Sequence, residues 1–208
     1  MFYTRLVFKL CLLLFIISGC SQAPIVNDDT TQVSTDNNKV LQELSETNLR
    51  KYKEALYALR DNKLDKAQEI LVDIIQDHPD IAGPLANMGL IYYKQNKSDQ
   101  AIAMLQKALL LNPKNAFAHN ILGNAFIQQG KFTSAENHFL QAIKFKDDYS
   151  NAHYNLALLY DIYFHEIKKS IIHYRKYLLI ISDKGIVDKK TADWLEQLEN
   201  SIKKNKNV

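Results

Sequence analysis

The chain has 208 residues, a formal net charge of +3, 47% hydrophobic residues, and only 6 glycines and 4 prolines. So few helix breakers, together with abundant leucine, isoleucine, alanine and lysine, predict helices throughout one folded domain. The small net charge excludes a strong electrostatic case for binding nucleic acid or an acidic membrane surface.

Residues 1–19 have the pattern of a secretory signal peptide. Arg5 and Lys9 precede a short apolar run, which ends in small residues. The run is far shorter than the roughly 20 residues that a membrane span requires. We therefore expect this segment to be removed, which lowers the formal net charge from +3 to +1.

Cys20 ends this segment in the sequence Ile-Ser-Gly-Cys, which resembles the lipobox of bacterial lipoproteins. The resemblance implies cleavage before Cys20, a diacylglycerol on its thiol, and acylation of its amine by a fatty acid such as palmitate. The alternative is an ordinary signal peptide with a chance cysteine at its end. Several acyl chains, at roughly 0.8 kcal/mol per buried methylene, would anchor the protein stably. Ser21 stands where inner-membrane lipoproteins often have aspartate, so the resemblance favours the periplasmic face of the outer membrane in a Gram-negative cell.

Residues 20–38 are rich in serine, glutamine, asparagine, aspartate and threonine, which predicts a flexible linker. With Cys11 removed and Cys20 acylated, the mature protein has no thiol left. The sequence therefore excludes disulfides, thiolate metal sites and cysteine nucleophiles.

A 34-residue period dominates residues 39–183. Small residues recur at this interval in two series, which are Ala55, Gly89, Gly123 and Ala157, and then Ala67, Ala101 and Ala135. A fixed period of this length predicts an array of helix pairs, in which each unit buries its apolar face against its neighbours.

Larger residues recur with the same period. They are Tyr92, Phe126 and Tyr160, then Leu71, Leu105 and Phe139, and finally Pro79 and Pro113. In this combination the chain resembles the tetratricopeptide repeat (TPR) family. The resemblance implies an all-α solenoid of about four helix-turn-helix repeats, near 48–81, 82–115, 116–149 and 150–183, followed by a C-terminal capping helix.

The turns between paired helices are also predicted. Asn62, Asn96 and Gly130 lie 34 residues apart, and these residue types enter a left-handed conformation at low cost. Side chains that could cap the second helix follow three residues later, at Asp65, Asp99 and Thr133.

The fourth unit departs from the period. One extra residue lies between Tyr160 and Ser170, and no asparagine or glycine marks the turn, so we expect a longer turn over 161–166. Residues 184–208 are predicted to form the capping helix and a basic tail, with Asp188 as the N-cap.

By resemblance to the family, the first helix of each unit lines a groove. The predicted groove residues are Tyr52, Leu56, Leu59, Leu90, Tyr93, Phe117, Asn120, Asn124, Ile127, Tyr154, Leu158 and Asp161. Aromatic and aliphatic side chains edged by amides suit an extended peptide or an amphipathic helix. One alternative is that the repeat asparagines tie adjacent units together. Another is a groove filled by the N-terminal segment or by a second protomer.

Catalytic chemistry is not expected. The six histidines include no pair at the i, i+4 spacing of a helical metal site, so each is predicted to be a surface or partly buried residue of the repeats. The sequence has no phosphate-cradling glycine loop and no Gly-x-Ser-x-Gly elbow. We predict no catalytic residue, no cofactor and no metal.

These patterns lead to one functional expectation, a lipid-anchored periplasmic scaffold that binds an envelope protein and no nucleic acid. Small bacterial TPR lipoproteins, which the layout resembles, imply roles such as piloting a secretin, docking cell-wall hydrolases or accompanying a TonB-type system. The alternative is a self-associating structural homo-oligomer, such as a homodimer, whose groove is occupied.

Overall fold

The computed structural model describes residues 44–206, and within that range all regular structure is helical. Nine α-helices and one π-helical turn follow one another in that part of the chain. They are α1 (Glu46–Arg60), α2 (Leu64–Asp77), α3 (Ala82–Lys94), α4 (Ser98–Leu111), α5 (Ala116–Gln128), α6 (Phe132–Phe145), α7 (Ser150–Leu158), the π turn (Leu159–Tyr163), α8 (Ile167–Ser182) and α9 (Lys189–Lys206). The predicted all-α fold is confirmed.

Two predicted segments fall outside the described residues. The signal peptide over 1–19 and the linker over 20–38, which includes Cys20, both precede residue 44. They remain predictions from the sequence.

The helices pack as four consecutive pairs, α1 with α2, α3 with α4, α5 with α6, and α7 with α8. The second helix of each of the first three pairs also contacts the first helix of the following pair, and α9 packs on α8. Each pair therefore buries its apolar side partly within itself and partly against its neighbours, as expected for stacked repeats.

Two glycines mark where paired helices come closest. A Cβ atom built on Gly123 of α5 would lie 2.5 Å from Cε1 of Phe139, a fully buried ring of α6. Gly89 of α3 has the same relationship to Leu105 of α4, whose Cγ would lie 2.5 Å away. No side chain fits at either distance, which explains in physical terms why these two positions of the first series are glycine.

Each of the first three pairs turns through one left-handed residue, as predicted. The φ angle is +57° at Asn62, +59° at Asn96 and +70° at Gly130. The next residue is a lysine in every case, and its N–H closes the turn; that of Lys63 donates to the carbonyl of Ala58 at 2.8 Å. This bond, five residues back, together with the left-handed residue defines a Schellman motif.

The predicted N-caps of the second helices are wrong. Asp65, Asp99 and Thr133 are the second residues of α2, α4 and α6 and do not precede them. The capping positions belong to the lysines of the Schellman motifs, where no side chain forms a capping bond. A lysine ammonium can only donate hydrogen bonds, so it cannot cap the free N–H groups at the start of the second helix. Asp99 instead accepts a 2.7 Å hydrogen bond from Nε2 of Gln129 in the next repeat.

The extra residue of the fourth pair is absorbed by the π turn. The N–H of Phe164 donates to the carbonyl of Leu159 at 3.1 Å, the five-residue spacing that defines a π-helix. His165 then adopts the left-handed conformation, with φ +56°. The fourth turn therefore ends as the other three do, although it lacks the asparagine or glycine that marks them.

The capping helix begins where the sequence predicts. A carboxylate oxygen of Asp188 accepts the N–H of Thr191 at 3.1 Å, and α9 starts at the next residue, Lys189. Apolar side chains of α9, among them Leu198, pack with Tyr174 of α8 in one cluster. The last repeat is thus covered by the chain's own C-terminal helix.

Candidate peptide-binding groove

The twelve predicted groove residues lie on the first helices of the four pairs, except Asp161, which lies in the π turn. Spacings of three and four residues keep those of one helix on one face. Since α3 contacts α5 and α5 contacts α7, the faces of these helices are adjacent. The surface formed by the twelve residues is termed the groove below.

Three groove residues are buried between repeats. Tyr52 and Asn120 are each 2% exposed, and Leu59 is 8% exposed. The hydroxyl of Tyr52 accepts a 2.8 Å hydrogen bond from Asn87 of the second repeat. Asn155 of the fourth repeat donates at 3.0 Å to the side-chain oxygen of Asn120. The asparagines Asn87 and Asn155 therefore tie adjacent units together, which was one interpretation of the sequence.

Nine groove residues remain partly exposed, and the six of them that have no contact with the described side chains of α9 form what is termed the open groove. They are Leu56, Leu90, Tyr93, Phe117, Asn124 and Ile127. The five apolar side chains rest on the buried clusters of the first three repeats and keep one surface towards solvent. Asn124 forms no hydrogen bond to any of the described residues, so its amide is available to a ligand.

The remaining groove residues are covered by the capping helix. Tyr154 and Leu158 belong to the same apolar cluster as Leu195 and Ile202 of α9. Nε1 of Trp194 donates a 2.7 Å hydrogen bond to a carboxylate oxygen of Asp161. The sequence places Trp194 on the apolar stripe of α9 but gives no sign of this contact, because it joins residues of two separate elements.

Asp161 is the acidic group of the groove. Burial raises the pKa of its carboxyl group above the ordinary value, while hydrogen bonds from Trp194 and Tyr174 act in the opposite direction. The hydroxyl of Tyr174 lies 3.4 Å from the same oxygen. Through these two contacts the carboxylate of Asp161 connects the π turn to Trp194 of α9 and to Tyr174 of α8.

The open groove is formed by uncharged side chains. Its six side chains include no carboxylate, ammonium or guanidinium group. Arg60, at the end of α1, is exposed and lies over the ring of Tyr57, with its guanidinium carbon 5.0 Å from the ring centroid. The open groove therefore suits an apolar ligand segment and offers no clamp for a carboxylate.

The described residues contain neither a membrane-spanning helix nor a metal-binding cluster. No helix within 44–206 is both long enough and apolar enough to cross a membrane. The same residues contain no cluster of three or more histidine, cysteine or acidic side chains placed to hold a metal ion.

Comparison with protein families agrees with the fold. The family described as TPR repeat matches residues 89–130 and 123–161. These ranges run from the middle of α3, in the second repeat, through the third repeat and α7 into the π turn.

Solved structures show the same arrangement of helices. TTC0263, a thermophilic TPR protein of Thermus thermophilus, has a TM-score of 0.63 and 19% identity over 77% of this chain and 86% of its own. MamA from Desulfovibrio magneticus RS-1 has a TM-score of 0.61 and 17% identity over 78% and 89%. The first TPR of Spaghetti (RPAP3), bound to the HSP90 peptide SRMEEVD, has a TM-score of 0.52 and 20% identity over 58% and 92%.

The fold and the groove define a helical-repeat scaffold with no strand in its described part. The family match identifies TPR repeats within residues 89–161, and the described helices on either side of that range pack in pairs in the same way.

Proposed function

We propose that this protein is a lipid-anchored scaffold of the bacterial envelope that binds a peptide or a helix of a partner protein in its open groove. The observation that carries the proposal is the open groove itself. Five partly exposed apolar side chains extend over three repeats, beside one amide that has no partner among the described residues.

The chemistry of these side chains favours an apolar segment of the partner. Tyr93 and Phe117 are rings that expose one surface while the rest packs on the core, which is how anchoring residues of interfaces are usually held. The amide of Asn124 can both donate to and accept from a ligand backbone. Burying the apolar side chains would supply affinity, and the amide would fix the direction of the bound segment.

A solved relative supports this binding mode. The first TPR of RPAP3 holds a peptide, SRMEEVD, that contains three acidic residues. The open groove of this chain has no cationic side chain to match such a ligand. We therefore infer a ligand that inserts aliphatic or aromatic side chains and is not recognised by its charge.

The location rests on the sequence of the first twenty residues. The resemblance to a lipobox at Cys20 supports acylation there, and the polar linker over 20–38 would hold the repeats away from the bilayer. We propose the periplasmic face of the outer membrane, with the partner being another envelope protein.

A crosslinking pull-down from intact cells tests the binding function. The tagged full chain is compared with a Tyr93→Ala/Phe117→Ala variant, which removes both aromatic rings of the open groove. A Leu110→Ala/Leu179→Ala variant is the matched control, because these two exposed side chains, 82% and 56% accessible, lie on second helices outside the groove. We expect a protein recovered with the unmodified chain and with the control, and lost with the groove variant.

Two outcomes would contradict the proposal. Equal recovery of the partner by a correctly folded groove variant would remove the open groove as the binding site. Recovery of only further copies of this chain would favour the self-associating homo-oligomer.

A further inference from the structure

Two pairs of histidines join the helices of the last two repeats with the same geometry. His119 of α5 and His138 of α6 face each other with their Nδ1 atoms 3.0 Å apart and their ring centroids 5.3 Å apart. His153 of α7 and His173 of α8 have the same two distances. The repetition of both distances makes the pair a feature of these repeats, which the sequence analysis did not predict.

Each pair also contacts the loop that leads into its repeat. Nε2 of His119 lies 3.1 Å from the carbonyl oxygen of Pro113, before α5. Nε2 of His153 lies 3.1 Å from the carbonyl oxygen of Asp147, before α7. One pair therefore links three segments, the incoming connection, the first helix and the second helix.

The partners determine where the hydrogens lie. A carbonyl oxygen can only accept, so Nε2 of His119 carries a hydrogen and Nδ1 of the neutral ring is an acceptor. Nδ1 of His138 must then donate, which leaves its Nε2 able to take a proton without loss of the bond. A second proton has to enter at Nδ1 of His119, and the two rings would then present N–H groups to each other. By the same argument, the pair of His153 and His173 tolerates one proton and is opened by two.

Aromatic rings and charged groups surround both pairs. Aromatic rings stack on three of the four histidines, and a lysine ammonium lies over each of those rings. The stacks are Lys131–Phe126–His138, Lys144–Phe145–His119 and Lys169–Tyr160–His173. The carbonyl and carboxylate of Asp147 favour a proton on His153, while Lys176 opposes it.

Burial opposes protonation of all four histidines. It lowers the pKa of His138 and of His173 to about 4, with the partner histidine as the second cause. Burial also lowers the pKa of His119 and of His153, against the opposing effect of the backbone carbonyls. A histidine whose pKa is lower in the folded than in the unfolded chain stabilises the fold less as the pH falls below about 6.5.

We propose that the two histidine pairs form a proton-sensitive latch, so that acidification separates the paired helices of the third and fourth repeats. The first two repeats lack the latch. At the positions equivalent to His119 and His138, the second repeat has Leu85, which is buried, and Met104, which is partly buried. The latch does not depend on the groove having an occupant.

Hydrogen exchange followed by mass spectrometry tests the latch on the full chain in a non-ionic detergent. Exchange is measured at pH 7.5 and pH 4.5 and corrected for the intrinsic dependence of the rate on pH. We expect protection to fall at pH 4.5 in α5 to α8 and to persist in α1 to α4.

In the matched variant, the four histidines are replaced by the residues that the second repeat has at the equivalent positions. The substitutions are His119→Leu, His138→Met, His153→Leu and His173→Met. We expect it to retain protection in α5 to α8 at both pH values. A His78→Gln variant is the control for a histidine outside the pairs, and we expect it to lose protection as the unmodified chain does.

Two results would overturn the latch. One is full protection of α5 to α8 in the unmodified chain at pH 4.5, and the other is an equal loss in the fourfold variant. If that variant does not fold, nitrogen NMR of the histidine rings of the unmodified chain decides. We expect a hydrogen on Nε2 of His119 and on Nδ1 of His138 at pH 7.5. The latch would be refuted if both rings were cationic at pH 4.5 while α5 and α6 remained protected from hydrogen exchange.

Discussion

The side-chain amide of Asn155 donates a 3.0 Å hydrogen bond to the side-chain oxygen of Asn120, so that two residues 35 positions apart join the third and fourth repeats. Asn120 is 2% exposed and donates in turn to the hydroxyl of Tyr149 at 3.3 Å. Asn124, one turn further along α5, is partly exposed and has no hydrogen bond to the described residues. Neighbouring asparagines on one helix therefore have different roles, one in the stack and the other on the open groove.

Substitution should separate these roles. We expect Asn120→Ala to lower the free energy of unfolding by about 1–3 kcal/mol, because it removes both hydrogen bonds of a buried amide. Asn124→Ala should change the free energy of unfolding by less than about 0.5 kcal/mol, as for surface positions generally. Urea denaturation measures both values, and only Asn124→Ala should weaken partner capture while the fold is intact. Equal effects of the two substitutions on stability would contradict this division.

Gly123→Ala should destabilise the third repeat. The added Cβ would lie 2.5 Å from Cε1 of Phe139, so the helices must move apart, at a cost of about 1–3 kcal/mol. The first repeat combines Ala55 with Leu71 at the equivalent positions, and both are fully buried. Adding Phe139→Leu to Gly123→Ala should therefore restore part of the loss. Thermal unfolding of the single and double variants checks this, and no recovery in the double variant would mean that the clash lies elsewhere.

Trp194→Phe should weaken the contact between α9 and the π turn. It removes the 2.7 Å hydrogen bond to the carboxylate of Asp161, which we expect to cost about 1 kcal/mol at pH 7, since water reaches this partly exposed site. The bond favours the charged carboxylate and lowers its pKa, against the effect of burial. The cost should therefore be largest above that pKa and shrink as the pH falls towards 4.

The pH dependence of this cost has a direct control. In an Asp161→Asn background the group cannot ionise, so the effect of Trp194→Phe on the free energy of unfolding should be the same at pH 7 and pH 4. A persistent pH dependence in that background would assign it to another group.

His165→Asn should stabilise the fourth turn. The left-handed backbone at His165, with φ +56°, costs an ordinary residue roughly 1–2 kcal/mol, and asparagine less. We expect a gain of several tenths of a kcal/mol in the free energy of unfolding, measured by urea denaturation. His165→Ala provides the comparison, since alanine retains the backbone cost. A gain with alanine equal to that with asparagine would show that the effect comes from loss of the imidazole.

Cys20→Ser tests the proposed anchor. Without the thiol no diacylglycerol can be attached, so we expect the protein to move from the membrane fraction to the soluble fraction of fractionated cells. Continued sedimentation with membranes would indicate a segment that is not removed. A Ser21→Asp variant is a separate control, which should leave the protein acylated and shift it towards the inner membrane.

The repeat period predicted much of the fold because a stacked array uses the same contacts several times. Gly89, Gly123 and the recurring alanines follow from the close approach of paired helices, and the left-handed turns follow from residues that tolerate positive φ. The N-caps were predicted wrongly because a side chain suited to capping does not show at which residue the helix begins, and the second helices begin one residue earlier than Asp65, Asp99 and Thr133.

The features that the sequence did not reveal depend on contacts between elements. The histidine pairs join residues 19 and 20 positions apart, a separation that has meaning only once the register of α5 on α6 and of α7 on α8 is known. The covering of Tyr154 and Leu158 by α9 depends in the same way on where the last helix lies. Six of the twelve predicted groove residues are partly exposed and uncovered, and that remains the part of the site on which binding can be tested.

The π turn has a consequence for how this chain tolerates changes in length. Beyond it, His173 lies 35 residues after its counterpart, yet its contacts have the same lengths as those of the preceding repeat. The widened turn takes up a whole residue locally, so an insertion near the end of a first helix need not disturb any surface downstream. The fourth repeat therefore keeps its place in the stack although its length differs from that of the other three.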